Sequence, residues 1–523
     1  MNVAGFYLKK YQLSRTKYEF LELAWVPQLF SPTFCNIGVE YKPNQIQTIL
    51  ARQRRSCMEG RAAMDVRNVL LVFGALAVAA FLAAPGTVVP QQIPTPPSGS
   101  VGKYNGPGGC AASSCHGSVK PKNITKTIWQ NEFSIWAAQD KHARAYSVLS
   151  NPVSLRMGKI LKIDKPPNQS EKCLVCHALY VPPELHAVTF QLDDGVSCEN
   201  CHGPAVGWLG PHTTEAWQHL SDTDKSKYGM YNTRDLVSRS EKCVSCHVGT
   251  ADKQVDHEMI AAGHPDLTFE LDSFSAAMPK HWKNRDEDAW FDVQTWAIGE
   301  AVQLRESLNR LSRRASSPNW PDYAELDCFA CHHSLTAPGD SWRLTTTDYY
   351  QGRRPGVPAW NASRYLVFRN FAAVVDPADA QRMDSALNHL GNLIGKWASP
   401  QEISATALEA SGLVQQILQK ITTQRYDQNL TARVMLAIAG DADAISDGGE
   451  RTAEQAAMAL DSLFVAYSAN AKVANDSDLR AAINKLFQQL QNPSGYNGPQ
   501  FKQQLQRVQA FLPHSAPVQG GSQ

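Results

Sequence analysis

Ten of the twelve cysteines in this 523-residue chain fall into five close pairs, each followed at once by a histidine. Four are regular: Cys173, Cys176 and His177 in CLVCH; Cys198, Cys201 and His202 in CENCH; Cys243, Cys246 and His247 in CVSCH; Cys328, Cys331 and His332 in CFACH. The fifth is stretched, with Cys110, Cys115 and His116 in CAASSCH. Two thiols three residues apart can form thioether bonds to the two vinyl groups of one heme, and the next residue then supplies the proximal imidazole. In the stretched copy the second cysteine and the histidine stay adjacent, so the ligand keeps its place while the longer loop bulges away. Chance supplies roughly 0.01 regular motifs in a chain of this composition.

Other uses of paired thiols fit less well. Structural zinc needs closed sets of four ligands, and five units do not divide evenly. A redox dithiol needs one pair at a helix start near a βαβ pattern, which is not visible. A disulfide framework predicts scattered pairing. Five covalent c-type hemes are therefore expected, and each iron raises the question of a second ligand. The candidates are His142, which follows the first motif, His212 in the glycine-rich stretch after the third, and His257, His264 and His281 after the fourth. Gly203, Gly207 and Gly210 suggest a chain that turns closely over a flat ring. His186, His219, His333, His389, His514, Met259 and Met278 rank lower as ligands.

The elements that must position these groups read as mainly α. The expected organisation is an N-terminal extension or misplaced start at 1–63, a signal peptide or membrane anchor at 64–89 and a linker at 90–106. A pentaheme domain with little β structure follows at 107–345, then a helical, bundle-like heme-free region at 346–512 and a disordered tail at 513–523. Cys35 and Cys57 lie upstream and have no role if translation starts later. The apolar run Val69–Ala84 is about as long as a signal-peptide core; extended to residue 89 it could span a bilayer, and both readings stay open. Either predicts an exported protein, in the periplasm or on the outer face of the membrane, held there by residues 69–89 if they are retained. These features class the chain as an iron-containing, metal-binding protein with a signal peptide or a transmembrane helix. Net charge is +1 with no basic block, so a nucleic-acid partner is excluded, and redox proteins, some membrane-associated, are the expected partners. The oligomeric state is not legible.

The block from about 107 to 285 resembles the tetraheme cytochrome c-554 family. The matching elements are CAASSCHG followed by W…KHARA, then KCLVCH, then GVSCENCHGP with its later PH, then EKCVSCH. The resemblance implies a mostly helical fold with closely packed hemes, periplasmic electron transfer and bis-histidine ligation for most irons. By position it implies that His142 and His212 are distal ligands. The stretched first motif and the fifth motif, LDCFACHH, depart from the family pattern. The expectation is an electron carrier rather than a catalyst. The alternative is an oxidoreductase acting on a small nitrogen or sulfur compound at one five-coordinate heme.

Overall fold

The computed structural model describes residue 99 and residues 101–283, 289–328, 330–332, 357–471 and 476–512. The expected extension, the signal or anchor segment, Cys35, Cys57, His333, His514, the tail and the 345/346 boundary lie outside the described residues, as does most of the linker.

As expected, the chain is mainly α-helical with a helical C-terminal region. Among the described residues the only β pairing is two isolated bridges, Tyr104 with His186 and Leu326 with Trp360. Three motifs sit at the ends of helices, and each of these helices stops on its own histidine: Glu171–His177, Cys198–His202 and Leu236–His247. Three residues of helix bring the two thiols to one face, a turn apart. Local capping fixes two of these helices. Asn200 Oδ1 accepts from the Ser197 backbone N–H at 2.7 Å, and the Asp235 side chain accepts from Ser238 N.

The stretch around His142 is not the single helix its sequence suggests. The helix Glu132–Gln139 ends at Asp140, whose backbone is extended. Asp140 Oδ1 accepts from the His142 backbone N–H at 3.0 Å, a local bond that competes with helix continuation. The glycines after the third motif also serve a different purpose. Gly203 has φ +81°, and a Cβ there would lie 2.3 Å from the Gly229 carbonyl oxygen; one at Gly207 would lie 2.5 Å from Tyr228 O. They admit a second backbone strand of the protein, not a flat ring.

Apolar burial is uneven. Residues 101–235 hold two small clusters, Leu149 with Leu174 and Ala178, and Ala205 with Trp208 and Trp217. The same stretch leaves Val119, Ile124, Val153, Ile160 and Val188 exposed. The main core begins at Leu236 and runs to Leu512. Its axis is the helix Phe291–Ala315, which is buried around most of its circumference rather than along one stripe. On one side it packs against the fourth-motif helix Leu236–His247, on the other against Pro400–Ile421. Trp296 is fully buried against Phe371, so it is a core residue.

Five C-terminal helices fall where the sequence indicates: Pro377–Gly395, Pro400–Ile421, Gln428–Gly440, Glu450–Asn470 and Asp476–Gln489. Asp376 caps the first, accepting from Asp379 N at 3.2 Å. The DADAISDGG stretch, expected to be a loop, contains the helix Ala442–Asp447, with Ile445 fully buried. Gly498–Phe511 is a further helix.

The expected transmembrane helix and membrane anchoring are corrected. No helix among the described residues is long and apolar enough to cross a membrane. The longest helices carry charges throughout, such as Asp292, Arg305 and Arg313 in one and Glu402, Glu409 and Lys420 in the other.

The central helix is tied to the chain around the fourth and fifth motifs by a buried ion cluster. Arg310 meets Glu325 in a two-bond fork at 2.7 and 2.9 Å. Arg314 reaches the same carboxylate at 2.8 Å and Asp322 at 3.2 Å. The two guanidiniums also donate to the carbonyls of Val248 and Val255, which bracket the loop after the fourth motif. Burial works against the Glu325 charge, but the two arginines hold its carboxyl below the usual range. Glu325→Ala leaves two buried cations exposed to each other and is expected to cost about 3–5 kcal/mol in chemical denaturation followed by tryptophan fluorescence. A depressed folded pKa means that this contribution is present above the ordinary glutamate value of about 4.3. It is lost as the pH falls through the lower folded value, so the variant and the parent should converge in strong acid.

Candidate heme-binding site

The five motif histidines each lie near one other histidine from a distant part of the chain. His116 and His212 have ring centroids 6.2 Å apart, His142 and His247 6.3 Å, His177 and His264 6.4 Å, and His257 and His332 6.4 Å. His202 has His281 as its leading charged neighbour. The interplanar angles of the four measured pairs run from 15° to 89° while the distance hardly changes.

That combination is not ordinary ring contact. His186 and Phe190 are near-parallel at 20° and touch at 3.9 Å. His116 and His212 are as parallel but stand much farther apart. An imidazole of bond length about 1.33 Å has its centre roughly 1.15 Å from each ring atom. Adding a metal–imidazole bond of about 2.0–2.1 Å on each side gives a centroid separation of about 6.3 Å. Rotation about that axis changes the plane angle and not the distance. The ring pairs therefore fit two axial ligands on opposite faces of one porphyrin iron.

The hydrogen bonds select the nitrogen left for such a role. His116 Nδ1 pairs with Glu132 at 2.8 Å, and His142 Nδ1 with Asp140 at 3.0 Å. Backbone carbonyls accept from the Nδ1 atoms of His177 (Ala145, 2.9 Å), His212 (Trp208, 3.1 Å), His264 (Pro265, 2.7 Å) and His281 (Pro279, 3.3 Å). A protonated Nδ1 leaves the Nε2 lone pair free, as a ligating imidazole requires. His186 uses its Nε2 on Val181 O instead. His219 and His389 are exposed. Met259 is buried in a short helix and Met278 caps another.

Burial keeps several of these rings neutral, the form that binds metal. It pushes His202 and His247 down to about 4, and His212, His264 and His281 down as well. His116 goes up because Glu132 accepts from it; at His142 burial pulls down most strongly, but the hydrogen bond and charge of Asp140, with Cys246, together carry it up. Desolvation raises Cys201 to about 11. All ten motif cysteines are free thiols. Thiols of different motifs are also close neighbours that influence one another: Cys110 with Cys198, and Cys176 with Cys246. Cys201 feels Cys246, and Cys328 feels Asp266, two residues after His264. The first motif thus neighbours the third, and the fourth neighbours both the second and the third.

The expectation of a metal-binding site is corrected for side chains acting alone. Among the described residues no group of three or more His, Cys, Asp or Glu could hold a metal ion. The imidazoles come in twos, too few for a free ion. Sequence reasoning missed Glu132 and Asp140; Asp140 stands two residues before His142, which was an available signal, while Glu132 lies sixteen residues from His116 and offered none.

Comparison with known proteins gives one partial match. A family model described as cytochrome c554 and c-prime matches residues 110–203, from the first motif through the third and less than a fifth of the chain. No curated protein and no solved structure matches. The matched segment is consistent with a heme-binding domain related to that family, and it suggests a role in electron transfer.

Proposed function

We propose that the chain is a multiheme c-type cytochrome that relays single electrons through five covalently bound hemes. The observation that carries this reading is the common spacing of the imidazole pairs, 6.2–6.4 Å at four sites. Attachment falls to Cys110 and Cys115, Cys173 and Cys176, Cys198 and Cys201, Cys243 and Cys246, and Cys328 and Cys331. The axial positions fall to His116 with His212, His177 with His264, His202 with His281, His247 with His142, and His332 with His257. The cofactor supplies reversible one-electron chemistry when bound. The chain holds the ring pairs and, at His116, His142, His177, His212, His264 and His281, fixes the tautomer through the Nδ1 acceptors.

Residues 107–345 carry the hemes in this reading, and 346–512 form a heme-free scaffold. The partners are soluble or membrane-associated redox proteins. An oxidoreductase acting on a nitrogen or sulfur compound needs one iron face without an imidazole, and at four of the five motif histidines a second histidine ring stands 6.2–6.4 Å away.

The intact purified protein is expected to exceed its apo-chain mass by five hemes, and its oxidised paramagnetic spectrum to be low-spin throughout. A mass gain of four, or a high-spin fraction near one heme in five, contradicts the reading. His264→Ala is expected to leave the heme count at five and to convert a single heme to high spin. Glu132→Gln removes a carboxylate that strengthens His116 as a donor. It should raise the reduction potential of one heme in a spectropotentiometric titration and leave the other four unchanged.

A further inference from the structure

A cavity of about 20 Å³ lies among Val255, Asp266, Ala324 and four arginines, Arg310, Arg314, Arg364 and Arg451. Its position is specific. Val255 and Asp266 stand two residues from His257 and His264, and Ala324 leads into the fifth motif. Arg451 and Asp266 are the leading charged neighbours of Cys328.

The charges around the cavity do not balance. Arg310 and Arg314 share Glu325 and Asp322, and Arg451 pairs with Asp266. Arg364 is 7% exposed, and its hydrogen bonds run to neutral acceptors, Gln303 Oε1 at 3.2 Å and Leu267 O at 2.9 Å. The nearby Glu300 carboxyl is pushed well above its usual range by burial, which makes it a poor counter-ion. Arg314 Nε is buried with no acceptor. A buried guanidinium without an anion is costly, and an unpaired buried N–H adds to the cost. The volume suits a water or the head of a carboxylate, not a whole organic ligand.

We infer that Arg364, with Arg314 Nε beside it, receives a propionate of the heme attached at Cys328 and Cys331. The inference rests on the five-heme reading and deepens it. Guanidinium is suited to a planar carboxylate. A cation fixed there favours the reduced heme, because reduction adds negative charge. Arg364 is thus a positioning residue that sets the potential of the fifth site.

The shared chemistry is a small oxyanion, whether a propionate or a free ion such as nitrite or phosphate. Heme count by intact mass and a potentiometric titration in anion-free buffer should be run on the parent, R364Q and R364K. R364Q is expected to keep five hemes and to shift the reduction equilibrium of one of them about tenfold toward the oxidised form, a fall of about 59 mV for a one-electron couple. R364K keeps the charge but loses the fork, and should fall by only part of that amount. If R364Q does not fold, the partial fall in R364K carries the test, and no change in it overturns the inference. Five unchanged potentials in R364Q overturn it as well. Saturable binding of nitrite or phosphate to the parent, abolished in R364Q with every potential unchanged, assigns the site to a free anion and also overturns it. A parent protein lacking the fifth heme removes the underlying reading and this inference with it, an outcome the mass alone identifies.

Discussion

The constraint on which the N-terminal half depends is a distance between imidazoles. A histidine fixed to a CxxC motif can serve a six-coordinate iron only if another histidine stands about 6.3 Å away across the ring. Meeting that condition at each motif dictates where the backbone turns. His212 is carried into place by a 3-10 turn, Pro211–Thr213. His142 owes its position to the break at Asp140, and Gly195, at φ +73°, passes 2.9 Å from the His142 carbonyl as judged from an added Cβ. These local features look irregular until the ring pairs are considered, after which each has a geometric reason.

The same constraint accounts for the uneven core. A domain of ordinary composition buries one continuous apolar layer. Residues 101–235 bury two small clusters and leave several aliphatic side chains outside, while everything from Leu236 onward shares a large core. Five flat, apolar macrocycles held between the ring pairs would supply the missing packing surface. The fourth-motif helix joins the two regimes. Its residues Leu236 and Val244 belong to the large core, and its last residue is His247. The Arg310–Glu325–Arg314 cluster secures the loop that follows. The fourth motif is thus braced by a conventional helical assembly.

Legibility in the sequence followed the same division. The motif cysteines and histidines could be read because thioether attachment demands a fixed local spacing. The C-terminal helices Pro377–Gly395 and Pro400–Ile421 could be read because their apolar stripes have helical period and their starts carry Asp376 or Ser399 caps. The partner of each motif histidine could not be read by the same means, since pairing is a tertiary property. Spare histidines could be ranked, but nothing in sequence spacing says that His264 faces His177 rather than His202. In the central helix Phe291–Ala315, Arg310, Arg314 and Glu300 are buried along with the apolar residues, and the groups they meet, such as Glu325 and Gln455, lie on other elements. The short helix Ala442–Asp447 was hidden by its acidic composition and is held by the burial of Ile445.

The pairing pattern carries a further physical consequence. His116 reaches past the second and third motifs to His212. His142 reaches forward to His247, His177 to His264, His202 to His281, and His257 to His332. These spans interlace: each begins inside, or ends inside, another. Closing long loops is entropically unfavourable, but the cost grows only slowly with length, and a loop inside one already closed starts from a smaller effective separation. An interlaced set therefore assembles more readily together than one site at a time. The thiol contacts between motifs one and three and between two and four point the same way, because neighbouring sites share walls. In the proposed reading, chain economy and short separation between cofactors would be a single property of this topology, and motifs that lean on one another for folding would also be those close enough to exchange electrons.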